Sequence, residues 1–486
     1  MNSKTTSDIS SSVSPLPDKT SVKPDPSHSS PTVAFKTIGC RLNQAETTKI
    51  EEIFNQAGYR TVAADEPCDV AVINSCTITH GAERDSARAA RRLRRKGAKI
   101  VILAGCAVEH NGEQLKKLTS ADIIANQKDK FNLPQIVADY LRHKAEPQNI
   151  TETLTPVKLP ATNHPLGASA PCVDLDGVVK PSGSSQVRHA VAKPTRALVK
   201  AQDGCNFRCS YCIVPDTRGM PRSIPLNQVL DDIRHFADQG VKEIVITGAN
   251  IGCYHDGKKT LVNLLEAAEQ ISGIERIRIS SIESTTSERE VIDFMASSEK
   301  LCNFLHLPLQ SGDNTILKRM RRHYTREDYR KVVEYAIDKI PLLGLGADII
   351  VGFPGEDDAA FQNTLRLVEE LPFTNLHIFS YSKRAGTPAA EMPNQIDPLE
   401  KKERSAQLIA LGNAKRQAFA DAFIGKKCRV LVEKISENGT ASGWTEEYLQ
   451  AKLHFANLHT NEIIEFTTIS NQNDTLLSFD LHNSLT

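Results

Sequence analysis

The chain lacks any run of about 18 consecutive apolar residues, so we expect no membrane-spanning helix. It also lacks an excess of charge, because 59 Lys and Arg balance 59 Asp and Glu among its 486 residues. A global positive field for nucleic acid is therefore absent, although local patches can still set the field at a site. Residues 1–30 contain no arginine and no apolar core of the kind that export leaders have. Together these features predict a cytoplasmic protein.

Two segments of the chain have little to bury. Residues 1–31 are rich in Ser and Pro, and such a segment cannot offset the entropy of ordering its backbone, so we expect a disordered extension. Residues 144–194 contain seven prolines and several polar stretches, which is typical of an interdomain linker. The rest divides into three predicted domains, residues 32–143, 195–424 and 425–486, in line with roughly 150 residues per domain.

Strands and helices alternate in the first of these domains. Apolar stretches at 33–38, 69–74 and 99–104 predict strands, and helical patterns at 44–58 and 82–96 separate them. Strand, helix and strand at this spacing imply right-handed crossovers and a parallel sheet. The domain is therefore predicted to be a parallel α/β domain of the flavodoxin-like kind.

The alternation continues at a larger scale in the second domain. Helical stretches separate most of its predicted strands, which lie at 196–200, 243–247, 276–282, 304–309, 346–351 and 375–380. Six such units predict an open, partial (β/α)6 barrel rather than a closed barrel of eight. In the last domain, strands at 428–434 and 448–453 around a glycine-containing turn, and another at 462–466, indicate a small β-barrel. The expected fold class is multidomain α/β.

Eleven cysteines are unusual in a chain without an export signal, and in a reducing compartment they should remain thiols. Three of them, Cys205, Cys209 and Cys212, form a CxxxCxxC motif on a loop after the first strand of the predicted barrel. Three thiolates at this spacing can hold one iron–sulfur cluster and leave one iron open to an exogenous ligand. A structural zinc site is the alternative, but it would normally need a fourth protein ligand.

A second set of three cysteines, Cys40, Cys76 and Cys106, is dispersed in the sequence, but each follows a predicted strand of the first domain. Parallel strands joined by right-handed crossovers end at one edge of the sheet, where open α/β sheets bind their ligands. The three thiols should therefore converge, unless cysteines stand at three strand ends by chance. Gly39 and Gly105 would let the backbone approach a bulky inorganic ligand. No role is predicted for the remaining cysteines, which are Cys68, Cys172, Cys253, Cys302 and Cys428.

The CxxxCxxC segment resembles the radical S-adenosylmethionine superfamily, and two three-cysteine sites in one chain resemble its methylthiotransferases. That family joins an N-terminal cluster domain, a radical S-adenosylmethionine barrel and a C-terminal TRAM domain. Within it the chain most resembles the branch that modifies N6-threonylcarbamoyladenosine at position 37 of tRNA. The supporting strings are GCRLNQ at 39–44, CTIT at 76–79, YSKRAGTP at 381–388 and GWTEEY at 443–448.

The resemblance implies two [4Fe-4S] clusters and S-adenosylmethionine as cofactors. Cys205, Cys209 and Cys212 would hold the cluster that generates a radical from S-adenosylmethionine. The trio at Cys40, Cys76 and Cys106 would hold an auxiliary cluster that carries the sulfur to be transferred to C2 of the adenosine. Candidate contacts to S-adenosylmethionine are Tyr211, Gly248, Asn250, Glu283 and Gly352, although turn chemistry, core packing or a surface position would also account for these residues.

The implied partners are a tRNA anticodon stem-loop and a low-potential electron donor such as flavodoxin or ferredoxin, with a monomer as the default state. Two basic runs, at 82–99 and 318–323, are candidate RNA contacts, and Trp444 would either stack on a base or fill the last barrel. Two alternatives stay open. One is a methylthiotransferase for isopentenyladenosine in tRNA or for an aspartate of a ribosomal protein. The other is a non-catalytic iron–sulfur protein that binds RNA as a redox sensor.

Overall fold

The computed structural model describes residues 30–145, 195–284, 288–455 and 457–479. Residues 1–29 of the predicted extension and 146–194 of the predicted linker lie outside this part of the chain. A helix continues to Ala145, so residues 144 and 145 belong to it and not to the linker. Within the described ranges no helix is long and apolar enough to cross a membrane.

The N-terminal region is a five-stranded parallel sheet. Its strands are Thr32–Thr37 (β1), Arg60–Val62 (β2), Val70–Ser75 (β3), Ile100–Gly105 (β4) and Ile123–Ile124 (β5). Its helices are Arg41–Gln56 (α1), His80–Arg95 (α2), Cys106–Thr119 (α3) and Leu133–Ala145 (α4). The strand order β2-β1-β3-β4-β5 is that of flavodoxin-like folds, as predicted, and β3 and β4 are buried throughout because helices cover both faces.

The central region is built on β/α units. Its strands are Arg196–Lys200 (β6), Gln202–Asp203 (β7), Arg222–Ser223 (β8), Glu243–Thr247 (β9), His255–Asp256 (β10), Lys259–Thr260 (β11), Arg276–Ile279 (β12), Phe304–His306 (β13), Gly344–Val351 (β14) and Asn375–Ser380 (β15). Its helices are Val214–Arg218 (α5), Leu226–Asp238 (α6), Leu261–Glu269 (α7), Glu288–Ser297 (α8), Asn314–Arg319 (α9), Arg326–Lys339 (α10), Asp358–Glu370 (α11) and Pro398–Asp421 (α12).

Six of these strands form the predicted open barrel, as two parallel sheets in the orders β12-β9-β6 and β13-β14-β15. The two sheets meet through the Cys302 amide, which donates to the Ile277 carbonyl at 2.9 Å, and the Ile282 amide, which donates to the His306 carbonyl at 3.0 Å. Strand β13 is shorter than predicted. Pro308 follows it and has no N–H to continue the ladder.

Helix α1 of the N-terminal region lies inside the barrel. Ala197 of β6 and Ile244 of β9 belong to the core beneath the outer helices, so their neighbours Leu198 and Val245 point to the opposite, inner face. Leu198 and Val245 pack against Ala45 of α1. Helix α1 therefore covers part of the inner face of the β6-β9 strand pair.

The C-terminal region is a six-stranded mixed sheet. Its strands are Lys427–Ile435 (β16), Ala441–Thr445 (β17), Gln450–His454 (β18), Ile463–Thr467 (β19), Ser470–Gln472 (β20) and Thr475–Phe479 (β21), in the order β19-β16-β17-β18-β21-β20. Only Thr468 and Ile469 separate the two edge strands, so the sheet curls upon itself like the small barrel that was predicted. The prediction of a turn in place of β17 was wrong, because Gly443 lies in a strand where a Cβ would overlap the Leu431 carbonyl.

The C-terminal sheet covers the amino-terminal ends of the barrel strands. Arg276 donates to the Trp444 carbonyl at 3.0 Å, and Arg278 donates to the Thr445 carbonyl at 2.6 Å. Glu243 accepts from Nε of Arg278 at 2.9 Å and forms an ion pair with Arg276, and so neutralises part of their charge. Trp444 is only 8% exposed and stacks on Tyr448 with ring centroids 4.7 Å apart, so it fills the interior and is not available to stack on RNA.

Candidate active site

The CxxxCxxC loop follows β7 and is fixed at several points to other elements. The Cys205 amide donates to the Gly219 carbonyl at 3.1 Å, and the Ser210 hydroxyl donates to the Arg319 carbonyl at 2.8 Å. The Ala389 amide in turn donates to the Ser210 carbonyl at 2.8 Å. These hydrogen bonds hold the three thiols of the loop at the carboxyl ends of the barrel strands. Barrel enzymes place their functional groups at this end.

The loop thiols are held in a setting that disfavours the free thiolate. Burial raises the pKa of Cys212 to about 12, and the neighbouring thiols of Cys209 and Cys205 add to the rise. Burial likewise raises the pKa of Cys205. A bound metal reverses this preference, because coordination deprotonates a thiol outright. Without a bound metal, the Cys205 and Cys212 thiols are therefore poor nucleophiles.

The spacing of the sulfurs bears on the kind of metal. A tetrahedral zinc ion with Zn–S bonds of about 2.3 Å would bring its sulfurs to within about 3.8 Å of one another. In the described part of the chain, neither cysteine trio brings all three sulfurs within 4.8 Å of one another. Neither trio therefore has the close sulfur spacing that three ligands of a single zinc ion would need.

The second trio stands at the carboxyl edge of the N-terminal sheet. Cys76 follows β3 and Cys106 follows β4, and the two lie side by side because Ser75 pairs with Gly105 in the parallel register. Gly39 has φ +105°, and a Cβ there would lie 2.8 Å from Sγ of Cys76, so this glycine lets the backbone before Cys40 approach that thiol.

The electrostatics of this trio show the three thiols acting on one another. Burial raises the pKa of Cys76 to about 12, and Cys40 and Cys106 raise it further, whereas Arg218 opposes the rise. Burial also raises the pKa of Cys106, which Arg218 again opposes. The structure thus brings the dispersed thiols into one neighbourhood, with a cation from the barrel beside them.

Arg218 connects the two cysteine sites. It lies at the end of α5, six residues after Cys212, and its Nη2 donates to Oδ1 of Asn43 at 2.6 Å. Nδ2 of Asn43 donates to the Ile38 and Ser75 carbonyls, both at 2.9 Å, and so fastens the ends of β1 and β3. No local sequence pattern predicts this contact, because the two residues are 175 positions apart.

A buried ion network surrounds this junction. Glu46 of α1 lies 2.6 Å from Nζ of Lys130, 2.8 Å from Nζ of Lys200 and 3.0 Å from Nη1 of Arg218. Burial alone would raise the pKa of Glu46, but the three cations hold it well below its usual value. Asp203 pairs with Lys200 and Arg218 and adds a second negative charge. The network fastens the sheet to the barrel.

A cleft of about 220 Å³ opens beside Cys212 and the segment that follows Cys76. Its lining combines Ile78 and Thr79 from the N-terminal region, Tyr211, Cys212 and Ile213 from the loop, and Gln310, Asp348, Ile350, Phe379, Ser380, Tyr381 and Ser382 from the barrel. Ile78 is 48% exposed and Phe379 is 44% exposed. The cleft therefore presents uncovered apolar faces beside the thiols.

The predicted contacts to S-adenosylmethionine lie in different settings. Tyr211 lines the cleft and meets Phe353 edge to face. Asn250 is 2% exposed, and its side-chain amide contacts the Cys205 thiol and opposes the rise in the pKa of that thiol. Gly248 backs onto the Gln202 side chain.

Two of these predicted contacts are engaged elsewhere in the protein. The Glu283 carboxylate forms an ion pair with Arg322. Gly352 backs onto the Lys401 side chain, and its amide donates to Glu356 at 2.8 Å. Ribose binding by Glu283 would thus compete with the ion pair to Arg322. All five contacts stay predictions.

The basic run at 318–323 divides between surface and interior. Arg322 is buried, donates to Sγ of Cys209 at 3.4 Å and pairs with Glu283, so its prediction as an RNA contact was wrong. Its positive charge lies beside the thiols of the CxxxCxxC loop and not on an RNA-binding surface. Lys318, Arg321 and His323 of the same run are exposed.

The basic run at 82–99 follows helix α2 on the outer surface. Arg94 pairs with Asp122 and Lys99 with Asp69. Several other cations of this run are exposed and have no protein partner in the described part of the chain; these are Arg84, Arg92, Arg95 and Lys96. The helix begins at His80, close to the cleft-lining residues Ile78 and Thr79, so its cationic face extends outward from the cleft.

Comparison with known families agrees with this architecture. Residues 199–368 match the model of the radical SAM superfamily, and residues 32–126 match that of the uncharacterized protein family UPF0004. A structure of the radical S-adenosylmethionine methyltransferase TsrM from Kitasatospora setae has a similar fold, with a TM-score of 0.51 and 13% identity. The likeness covers 74% of this chain and 75% of that one.

Full-length relatives extend the comparison to sequence. Threonylcarbamoyladenosine tRNA methylthiotransferase MtaB of Aquifex aeolicus is 34% identical over 422 residues, or 86% of this chain and 96% of the relative. MtaB of Bacillus subtilis is 34% identical over 427 residues, or 86% and 89%. The tRNA-2-methylthio-N(6)-dimethylallyladenosine synthase of Thermodesulfovibrio yellowstonii is 30% identical over 437 residues, or 89% and 94%. The chain therefore belongs to the radical S-adenosylmethionine methylthiotransferases.

Proposed function

We propose that this enzyme inserts a methylthio group at C2 of N6-threonylcarbamoyladenosine at position 37 of tRNA. The observation that carries the proposal is the cleft beside Cys212 and the segment that follows Cys76, with the exposed apolar side chains of Ile78 and Phe379 in its lining. Two MtaB relatives that are 34% identical to this chain support the threonylcarbamoyl target. A tRNA anticodon stem-loop is then the macromolecular substrate, and a low-potential flavodoxin or ferredoxin is the proposed electron donor.

The two cysteine sites have separate roles in this proposal. Cys205, Cys209 and Cys212 would hold one [4Fe-4S] cluster with an open iron, and Cys40, Cys76 and Cys106 would hold an auxiliary one. When bound, the clusters and S-adenosylmethionine supply the transferable sulfur, its methyl group and a carbon radical able to break an unactivated C–H bond. The chain itself positions these groups and shields them from water.

The apolar faces of the cleft suit a planar base. Phe379 and Ile78 are exposed at the cleft, and stacking of a base on an aromatic ring contributes about 1–3 kcal/mol. Tyr211 and Cys212 line the same cleft, so a base held there would lie beside the loop thiols.

Replacing Arg92 and Arg95 together by alanine is expected to weaken tRNA binding without changing cleavage of S-adenosylmethionine. Each lost phosphate contact should reduce the slope of log affinity against log salt by about 0.7–0.9. The measurement is tRNA affinity across a salt series. Arg234→Ala on α6, where the arginine pairs with Asp231, is the matched control and should leave the slope unchanged. An unchanged slope in the double variant would exclude this face of α2 from the RNA interface.

Replacing Cys76 by alanine is expected to abolish methylthiolated RNA while cleavage of S-adenosylmethionine continues, because only the auxiliary site loses a ligand. Iron in the reconstituted protein should fall from about eight to about four per chain. Product is measured by mass spectrometry of the RNA nucleosides, and cleavage by release of 5′-deoxyadenosine. Cys68→Ala is the matched control, since Cys68 is equally buried but lies at the opposite edge of the sheet.

The wild-type protein gives the decisive comparison. Only four irons per chain after full reconstitution would contradict the two-cluster arrangement, as would methylthiolated product from the Cys76 variant. Nucleoside analysis of tRNA from a strain that lacks the gene identifies the target. If such a strain lacked the methylthio derivative of dimethylallyladenosine and kept that of threonylcarbamoyladenosine, the enzyme would belong to the dimethylallyladenosine branch.

A further inference from the structure

The CxxxCxxC loop lies between the cleft and a second surface. Its last residues, Tyr211 and Cys212, line the cleft, whereas Phe207 and Arg208 are not among the lining residues. Arg208 is exposed and Phe207 is half-buried. The earlier part of the loop therefore stays accessible when a substrate occupies the cleft.

Residues 318–323 pack on this accessible part of the loop. The rings of Phe207 and His323 meet edge to face, with centroids 6.1 Å apart. Arg322 is buried and donates to Sγ of Cys209 at 3.4 Å, so the segment contacts the loop at one of its thiols. We name the residues that the two segments present at the surface the outer loop face; they are Phe207, Arg208, Lys318, Arg321 and His323.

The outer loop face is cationic. Arg208, Lys318 and Arg321 are exposed, and none of the three forms an ion pair within the described part of the chain. Asp313 caps the amino end of helix α9, whereas Lys318 stands in the last turn of that helix, so the acidic and basic residues of α9 lie at opposite ends. Unpaired cations that share one face attract an acidic partner and increase its rate of association.

An exposed apolar side chain lies beside the start of the same loop. Met220 is 56% exposed, and a Cβ on Gly204, the residue before Cys205, would lie 2.2 Å from the Met220 carbonyl oxygen. Methionine and arginine are enriched where proteins bind one another, whereas phosphate contacts to cations dominate the binding of nucleic acid. The composition of this surface therefore favours a protein partner over RNA.

We propose that the outer loop face docks an acidic, low-potential redox protein that delivers electrons to the cluster of the CxxxCxxC loop. The inference rests on the proposed function and locates the docking site of its electron donor. In each transfer the reduced donor loses one electron and the oxidised cluster gains it, and no covalent bond forms or breaks. RNA in the cleft and the donor on the outer loop face occupy different sides of the loop, so both can be bound at once.

The test compares two reductants on the reconstituted full-length enzyme. Reduced flavodoxin is the probe for docking, and dithionite reports whether the cluster is intact. Lys318→Glu/Arg321→Glu is expected to slow reduction by flavodoxin about 10- to 100-fold at low salt, because steering by opposite charge is lost. The extent of reduction by dithionite and the iron content should not change. The measurements are stopped-flow absorbance and the affinity of oxidised flavodoxin, and added salt should narrow the difference from the wild type.

The matched control reverses two charges at another place. Lys116→Glu/Lys117→Glu, near the end of α3 that lies away from Cys106, should keep the wild-type rate with flavodoxin. Arg208→Gln is a second variant of the outer loop face and should also slow the reaction with flavodoxin. It decides the case if the double variant loses iron.

The contrary outcomes are distinct. Wild-type rates with flavodoxin in the variants of the outer loop face would overturn the inference. If Lys318→Glu/Arg321→Glu lost affinity for tRNA and kept that rate, the face would bind RNA instead. Release of 5′-deoxyadenosine with dithionite in these variants upholds the radical chemistry of the proposed function in either case. Its absence in the wild type would overturn the proposed function itself.

Discussion

Replacing Cys209 by alanine should reduce release of 5′-deoxyadenosine by more than about three orders of magnitude. Cys209 is the central and most buried thiol of its motif, and Arg322 donates to its sulfur at 3.4 Å. Two remaining thiols cannot replace a three-cysteine ligand set, so the cluster and the open iron would be lost together. The measurement is anaerobic turnover with dithionite and chromatography of 5′-deoxyadenosine, beside iron content, which should fall from about eight to about four per chain.

A nearby cysteine provides the control for this experiment. Cys253 is half-buried, and burial together with the neighbouring Cys205 raises its pKa. It lies outside the motif, so Cys253→Ala should retain iron and cleavage. If Cys209→Ala kept cleaving S-adenosylmethionine at the wild-type rate, the loop could not be the site of the radical-generating cluster.

The second large effect concerns stability. Glu46→Gln should lower the free energy of unfolding by about 3–5 kcal/mol, because it leaves the buried cations around it without their main counter-charge. Lys130, Lys200 and Arg218 all lie within 3.0 Å of this carboxylate. The measurement is urea denaturation of the reconstituted protein under anaerobic conditions.

The pH dependence of this effect follows from the depressed pKa of Glu46. A carboxyl group with a lower pKa in the folded state stabilises the fold above its unfolded value, near 4.5, and this contribution is lost as the pH falls toward the folded value. The difference between wild type and variant should therefore be largest near neutral pH and shrink in acid. Glu52→Gln on the same helix, where Glu52 pairs with Lys49, should cost no more than about 1 kcal/mol. Equal effects at the two positions would contradict a structural role for the network.

Most of the fold could be predicted from periodic features of the sequence. The alternation of strands and helices predicted the parallel order of the first sheet, because crossover handedness leaves few alternatives. The same rule led from three dispersed cysteines to one sheet edge, and Cys76 and Cys106 do follow adjacent strands in register. Strand ends were less predictable, as at β13, where Pro308 stops the ladder before the apolar run ends.

Contacts between distant segments left no periodic signal. Arg322 was predicted to belong to a surface basic run, yet it is buried against Cys209. The prediction failed because a run of five polar residues does not reveal which one points into the interior. From the sequence, Trp444 could either stack on a base or fill the last barrel. The packing of the last sheet against Arg276 decides between these two interpretations. Such pairings depend on tertiary packing that local pattern does not encode.

The position of helix α1 inside the barrel has a consequence for biosynthesis. The ribosome synthesises Ala45 about 150 residues before Leu198 and about 200 residues before Val245, the strand residues that pack on it. Domains generally fold as units in the order in which they emerge during translation. The nascent N-terminal sheet can thus be complete when β6 and β9 are made, and it offers them a preformed surface on which to assemble. The helix that lies against the inner face of the strands is thus synthesised before the strands that cover it.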